Sequence, residues 1–248
     1  MKDKDVNYFI PNLFPEYFSE TVQTVVNKKQ REQREFKKSK NFGFELCSSA
    51  VFCGPFGIPL IKKYTKEWPQ HFITLSEMKN VGNNNIGVTT FDYDYVLEGL
   101  VSNPSTYVGQ FLTYKCVCEP DLSIAVGEPL AIAVANSFRS HSTAYYLQQH
   151  GCNVIPTMKW STPNTFGVCF SGYEKGGAVI VSTIGVIRDE RSRMYFSRGF
   201  RELLKRLSPD SVGIYGDRPE WIESLFPSQL DVHYFSHERF NRMRGYGK

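Results

Sequence analysis

Apolar, β-rich runs that finish in polar or charged residues recur along this chain. Five of them are Asn85-Ile-Gly-Val-Thr-Thr-Phe-Asp92, Tyr114-Lys-Cys-Val-Cys-Glu-Pro-Asp121, Cys152-Asn-Val-Ile-Pro-Thr-Met-Lys-Trp160, Ala178-Val-Ile-Val-Ser-Thr-Ile-Gly185 and Ser211-Val-Gly-Ile-Tyr-Gly-Asp217. They predict strands at 86–91, 111–118, 153–159, 178–183 and 211–215, with a last strand at 231–235 and a short one at 44–47. The run at 178–183 is apolar on both faces, as a strand buried within a parallel sheet should be. Helical patterns stand between these runs. One begins at Asp92-Tyr-Asp-Tyr and reaches about Leu100, after which Asn103-Pro104 supplies an N-cap and a first-turn proline. A long helix is predicted from about Leu130 to His150, closed by Gly151. Apolar residues at 196, 200, 203, 204 and 207 give Met194 to Leu207 a helical period that Ser208-Pro209 ends, and a short helix is predicted near Pro219 to Leu225. Cys53–Pro59 reads as a turn-dense loop, and the Gly-rich segment 161–177 predicts no regular element.

Strands alternating with helices predict a single α/β domain with a parallel sheet. A barrel-like (β/α) arrangement is preferred to an open doubly wound sheet, because no Gly-rich phosphate loop joins a first strand to a helix. The domain is expected at 42–236, between an aromatic and basic arm at 1–41 and a basic tail at 237–248. No window approaches the roughly 18 apolar residues of a membrane span, and no apolar signal core follows Met1. The expectation is a cytoplasmic protein without a membrane partner. The six cysteines, at 47, 53, 116, 118, 152 and 169, fit that compartment as buried thiols. Cys116 and Cys118 are expected on opposite faces of their strand, which argues against a zinc knuckle.

Charge changes the picture through its placement. The net charge is +4, yet KKQREQREFKKSK at 28–40 alone holds a surplus of five, leaving the rest of the chain at about −1. Lys28, Lys29, Arg31, Arg34, Lys37 and Lys38 are therefore candidate nucleic-acid-binding residues. Arg188, Arg191, Arg193, Arg198 and Arg201 and the tail Arg239–Lys248, which interleaves bases with aromatics, extend that reading, since phosphates take the charge and rings stack on bases.

The carboxyl ends of parallel strands are where an α/β fold keeps its ligand site. Asp92, Asp94, Asp121, Lys159, Ser182, Thr183 and Asp217 would lie around that rim. Asp92, Asp121 and Asp217 are the candidate catalytic carboxylates, because crowded carboxylates hold a divalent cation such as Mg²⁺ or Mn²⁺ or push one pKa upward. Asn136, Arg139, Lys159, Trp160, Ser182 and Thr183 are the candidate ligand-binding set. Arg139, on a helix that begins core-like, needs a partner for its guanidinium, and Asp121 or Glu128 is expected to supply it unless an anion does. The chain has no Walker loop, GxSxG elbow, HExxH or GxGxxG motif.

The order of Phe91-Asp-Tyr-Asp94, Glu119-Pro-Asp-Leu-Ser123, Asn136-Ser-Phe-Arg139, Tyr146-Leu-Gln148, Val154-Ile-Pro-Thr-Met-Lys-Trp160, Val181-Ser-Thr-Ile-Gly185, Gly199, Leu207-Ser-Pro209 and Ile214-Tyr-Gly216 is similar to a family of bacterial and bacteriophage proteins catalogued as a domain of unknown function. The resemblance covers about residues 42 to 218. It implies a phage or mobile-element protein and no particular activity. The family's histidine before the Gly of the VSTxG strand end is Ile184 here, so a mechanism that needed that histidine does not carry over.

Three function classes follow. The first is binding of DNA, RNA or a nucleotide-like anion at the rim. The second is a metal-dependent hydrolase or nuclease using Asp92, Asp121 and Asp217. The third is a non-catalytic interaction protein, a counter-defence or host-protein-binding factor that sequesters a host protein or a signalling nucleotide.

Overall fold

A computed structural model describes residues 43–78, 82–185 and 189–236. The arm at 1–41 and the tail at 237–248 lie outside the described residues, and with them Lys28, Lys29, Arg31, Arg34, Lys37, Lys38 and Arg239–Lys248; so does Arg188. The strands are β1 (Phe52–Cys53), β2 (Ile58–Pro59), β3 (His71–Thr74), β4 (Ile86–Thr89), β5 (Cys116–Cys118), β6 (Val154–Ile155), β7 (Thr157–Met158), β8 (Ala178–Ser182), β9 (Ser211–Tyr215) and β10 (Asp231–Phe235). The helices are α1 (Phe44–Cys47), α2 (Asp94–Ser102), α3 (Val108–Phe111), α4 (Leu130–Gln149), α5 (Phe166–Cys169), α6 (Glu190–Leu207) and α7 (Glu220–Glu223).

Two four-stranded sheets, β3-β4-β5-β6 and β10-β9-β8-β7, carry the fold, and every pairing in them is parallel. They share one stretch of chain. The strand expected at 153–159 is split at Pro156, which has no N–H to donate. Val154–Ile155 pairs with β5 and Thr157–Met158 with β8, so the chain passes from one sheet to the other within a few residues. The Pro156 carbonyl stays in the ladder and accepts from Ile180 N at 3.0 Å.

Successive strand residues fall into different hydrophobic clusters, as a period of two requires. Val117, Val154, Val179, Val181, Val212 and Ile214 pack with Leu97 and Leu100 of α2, Leu147 of α4, and Phe200 and Leu203 of α6. The opposite face gathers Phe72, Cys116, Cys118, Ile155, Ala178, Ile180, Tyr215 and Phe235 and, among the described residues, holds no helix residue. There the edge strands approach each other through side chains. Phe72 and Phe235 meet edge-on at 4.8 Å between ring centroids, and Trp68 lies 5.4 Å from Phe235. No ladder joins β3 to β10 among the described residues, so the expectation of alternating strands and helices with parallel pairing is met while a closed barrel is not seen.

Several local expectations need correction. Phe44–Cys47 is helical and packs on α4, with Cys47 Sγ 3.3 Å from Ser142 Oγ. Only Cys116–Cys118 of the strand expected at 111–118 is extended, because α3 occupies its start. Cys116 and Cys118 share one face, since residues two apart in a strand point the same way. The loop expected at 53–59 contributes to the β1–β2 pair, and β3 was not expected. Helix α6 begins at Glu190, four residues before the expected start, because Asp189 accepts from Ser192 N at 2.9 Å and caps it. Asn103 does not cap a helix N–H; its Oδ1 accepts from Ser105 Oγ. Among the described residues no helix is long and apolar enough to cross a membrane.

Helix α6 lies on Trp160, and Gly199 makes that contact possible. A Cβ at position 199 would stand 2.1 Å from Trp160 Nε1. The indole is held there by its donation to Tyr195 O at 3.1 Å and by Phe170 and Phe196. Helix propensity alone would favour Gly199→Ala by about 1 kcal/mol. Overpacking costs about 1–3 kcal/mol. Urea unfolding of Gly199→Ala should therefore show a net loss of stability; a rise would mean that the indole yields freely.

Candidate functional site

The strand ends meet at a cavity of about 710 Å³ that opens where β4, β5, β7 and β8 finish. Phe91, Met158, Trp160, Tyr195 and Phe196 form its apolar and aromatic walls, and Asp92, Asp121, Lys159, Ser182 and Ser192 bring polar groups into it. The site therefore stands at the rim that parallel strand order predicts.

Each carboxylate there has a different setting. Asp92 accepts from Tyr93 N through Oδ1 at 2.9 Å, while its Oδ2 is buried without a hydrogen-bond partner among the described residues. Asp121 is half-buried and accepts no hydrogen bond among the described residues. Burial pushes its pKa up to about 6, with Asp94 and Glu119 adding to the rise and Lys159 opposing it. Asp94 braces the loop: its Oδ1 accepts from Ser123 N at 3.1 Å and from Ser123 Oγ at 3.0 Å. Asp217 is exposed and does not line the cavity, since the chain turns away at Gly216 (φ 119°); its carbonyl accepts from Thr183 Oγ1 at 2.8 Å. The three aspartates chosen from the sequence are thus not brought together. Among the described residues no group of three or more histidines, cysteines, aspartates or glutamates is placed to hold a metal ion.

The expected ligand-binding residues divide in the same way. Lys159, Trp160 and Ser182 line the cavity. Lys159 Nζ donates to Pro120 O at 2.7 Å and to Ser140 Oγ at 2.8 Å, which fixes the loop after β5. Asn136 Nδ2 donates to Ser123 O at 2.7 Å, again holding that loop. Arg139 pairs with neither Asp121 nor Glu128: its Nη2 donates to Glu98 Oε1 at 2.6 Å and Oε2 at 2.8 Å, tying α4 to α2. Glu128 accepts instead from Ala125 N. Thr183 is buried below the rim.

Beneath the cavity lies a polar cluster that the sequence reading did not find. Glu119, fully buried, accepts through Oε2 from Thr157 N at 3.1 Å and from Tyr173 OH at 3.0 Å. Its Oε1 faces His141 Nε2 at 3.5 Å. His141 Nδ1 lies 2.9 Å from Pro59 O, and since a carbonyl only accepts, Nδ1 carries the hydrogen. A neutral ring then presents a bare Nε2 to Glu119 Oε1, and the contact is attractive only with one proton between them. Burial lowers the His141 pKa, with Glu119 opposing, so the imidazole is held below its usual range. The position of Glu119 within Glu119-Pro-Asp-Leu-Ser123 was the available signal; Tyr173, in the Gly-rich segment, offered none.

A family model described as "Domain of unknown function (DUF4417)" matches residues 50–233. The "Gene 1 protein" of Mycobacterium phage D29 is 34% identical over 123 residues, which is 50% of this chain and 46% of that protein. The "Gene 1 protein" of Mycobacterium phage L5 is 33% identical over 123 residues, covering 50% of this chain and 54% of that protein. The chain thus spans about half the length of the curated relatives it matches. No solved structure matches.

Two substitutions probe the cluster and the rim. Glu119→Gln keeps an acceptor for Thr157 N and Tyr173 OH and turns an N–H toward the bare His141 Nε2, so it should cost less than about 1 kcal/mol in urea unfolding. Glu119→Ala strands Thr157 N, Tyr173 OH and His141 and should cost about 3–5 kcal/mol. Equal losses would refute this account of the cluster's hydrogen bonds. For Asp121 the folded state retains a proton between the ordinary aspartate pKa of about 3.9 and about 6, so stability is fully present below that window and falls as pH rises through it. Asp121→Asn should abolish that slope and be more stable than wild type at pH 8 by about 3 kcal/mol. Parallel pH profiles for the two proteins would contradict the assignment.

Proposed function

The chain belongs to the DUF4417 family, a domain of unknown function with phage relatives, and from its rim cavity we propose that it binds a nucleoside or nucleotide with the base directed inward. The observation that carries this reading is the unpartnered Asp92 Oδ2, buried at the edge of a cavity with aromatic walls. An ionised carboxylate only accepts hydrogen bonds, so it complements the N–H edge of a base such as guanine. Phe91, Trp160, Tyr195 and Phe196 offer ring surface to the base, and the cavity has the size usual for small-molecule sites.

The anionic part of such a ligand would face outward. Arg139 is committed to Glu98, and Lys159 spends two of its three N–H groups on Pro120 O and Ser140 Oγ, so at most one donor of this pair is left for a phosphate in the cavity. Asp92 and Asp121 would repel a phosphate placed beside them. The fold supports the same orientation if it is read as barrel-like, with Trp68, Phe72 and Phe235 filling the gap between the edge strands, because access is then from the carboxyl rim. In this reading the α/β unit spans 42–236, and the basic segments on either side are extensions to it. A cytoplasmic setting, where thiols persist unpaired, suits both the ligand and the buried cysteines.

Calorimetric titration with purine and pyrimidine nucleosides, and separately with inorganic phosphate, tests the reading. A purine nucleoside should bind and phosphate should not compete. Asp92→Asn should weaken binding by about tenfold or more, the cost of a lost charged hydrogen bond. Affinity should rise with pH through about 6 as Asp121 ionises and becomes a pure acceptor. Binding of phosphate without nucleoside would overturn the proposal.

A further inference from the structure

Helix α6 borders the cavity at one end and carries an unusual charge along its length. It has six basic residues, Arg191, Arg193, Arg198, Arg201, Lys205 and Arg206, against Glu190 and Glu202. Phe196, Gly199, Phe200, Leu203 and Leu207 are its buried face. At 100° per residue, Arg191, Arg198, Arg201 and Lys205 fall on the side away from that face, and all four are exposed. From Arg191 to Lys205 the stripe runs about 21 Å. Arg198 and Arg201 make no ion pair among the described residues, whereas Glu202 is taken by Arg206 at 2.7 Å. Lys205 lies 4.0 Å from Glu202, so the stripe is compensated at that end, while Arg198 and Arg201 are left with no acidic partner among the described residues and repel each other unless an anion lies along them.

The end of the stripe is not an arbitrary place. Arg191 sits over the Tyr195 ring at 5.6 Å, and Tyr195 lines the cavity. Near the same mouth Tyr93, itself a lining residue, stacks on Tyr95 at 5.6 Å with the rings 13° from parallel. These two rings are 68% and 78% exposed, a large aromatic surface for solvent to cover. Positive charge leading to open aromatic faces is the arrangement that takes phosphates and unstacked bases together.

We propose that the outer face of α6 and the Tyr93–Tyr95 pair form a docking surface for single-stranded nucleic acid, which presents one base to the rim cavity. The stripe would track the phosphates, and the tyrosines would stack on bases next to the one that enters. A single strand is favoured over a duplex because base faces in a duplex are already stacked and unavailable to the tyrosines. The entry of a base rests on the nucleoside reading of the cavity; the docking surface does not.

The test uses the full chain and a short labelled oligonucleotide of mixed sequence, single-stranded or annealed, at several salt concentrations, beside the nucleoside titration. Wild type should bind the single strand more tightly than the duplex. Arg198→Gln combined with Arg201→Gln should lower the salt slope by about 1.4, at about 0.7 per phosphate contact on a single strand, and leave nucleoside affinity unchanged. Tyr93→Ala combined with Tyr95→Ala should weaken oligonucleotide binding by at least roughly tenfold without changing that slope. An unchanged slope in the arginine variant, or no binding of the single strand while the nucleoside still binds, would overturn the docking surface and leave the cavity reading standing. Oligonucleotide binding that follows these rules with no nucleoside binding would keep the surface and refute the cavity reading.

Discussion

A single buried carboxylate stands where the chain passes from one sheet of this protein to the other. Pro156 splits the strand between β6 and β7, and beyond it the ladder to β5 ends. Glu119 covers the resulting gap: its side chain takes the Thr157 N–H, while its own backbone carbonyl accepts from Thr157 Oγ1 at 2.9 Å. An ionised group in that position would cost several kcal/mol per charge if left alone. Thr157 N and Tyr173 OH satisfy one oxygen, while the other faces His141 Nε2 at 3.5 Å and has no hydrogen-bond partner among the described residues. The joined sheets, the strand-end loops and the cavity above them all depend on this small set of contacts.

The rim inverts that logic. The strong donors nearby are used largely to hold structure: Arg139 on Glu98, Asn136 on Ser123 O, and two of the three Lys159 N–H groups on Pro120 O and Ser140 Oγ. At the cavity, Asp92 Oδ2 and Asp121 have no such donor among the described residues. Unsatisfied buried acceptors cost free energy in the empty protein, and a ligand that supplies N–H groups recovers it. The rigid loop after β5 makes that recovery specific, because the acceptors cannot relax toward one another.

Much of this site was legible in the sequence, for a physical reason. Parallel strands end on one side, so Asp92, Asp121, Lys159, Trp160 and Ser182 could be placed together from strand boundaries alone. The same rule misplaced Asp217, because it does not register the turn at Gly216 that sends the side chain to solvent. It could not choose the partner of Arg139 either: Glu98 lies 41 residues earlier, on a helix whose facing side depends on packing. Glu119, His141 and Tyr173 were hidden because their contacts join distant segments and no local period marks them. Phe44–Cys47 shows the opposite failure. Its alternation suits a short strand, yet burial against α4 decides for a helix.

The two polarities of the rim explain each other. Carboxylates inside the cavity repel phosphate, and arginines on the outer face of α6 attract it, so a free anion gains little by entering and a polyanion gains by lying across the helix. Screening sharpens the division. At physiological ionic strength the Debye length is about 8 Å, so charges toward the far end of a stripe about 21 Å long are hardly felt at Asp92 and Asp121. In the proposed reading the arginines gather a charged chain without neutralising the acceptors proposed to face a base. A ligand that is anionic along its backbone and rich in N–H donors at its base edges satisfies both parts, whereas inorganic phosphate or a simple amine satisfies only one.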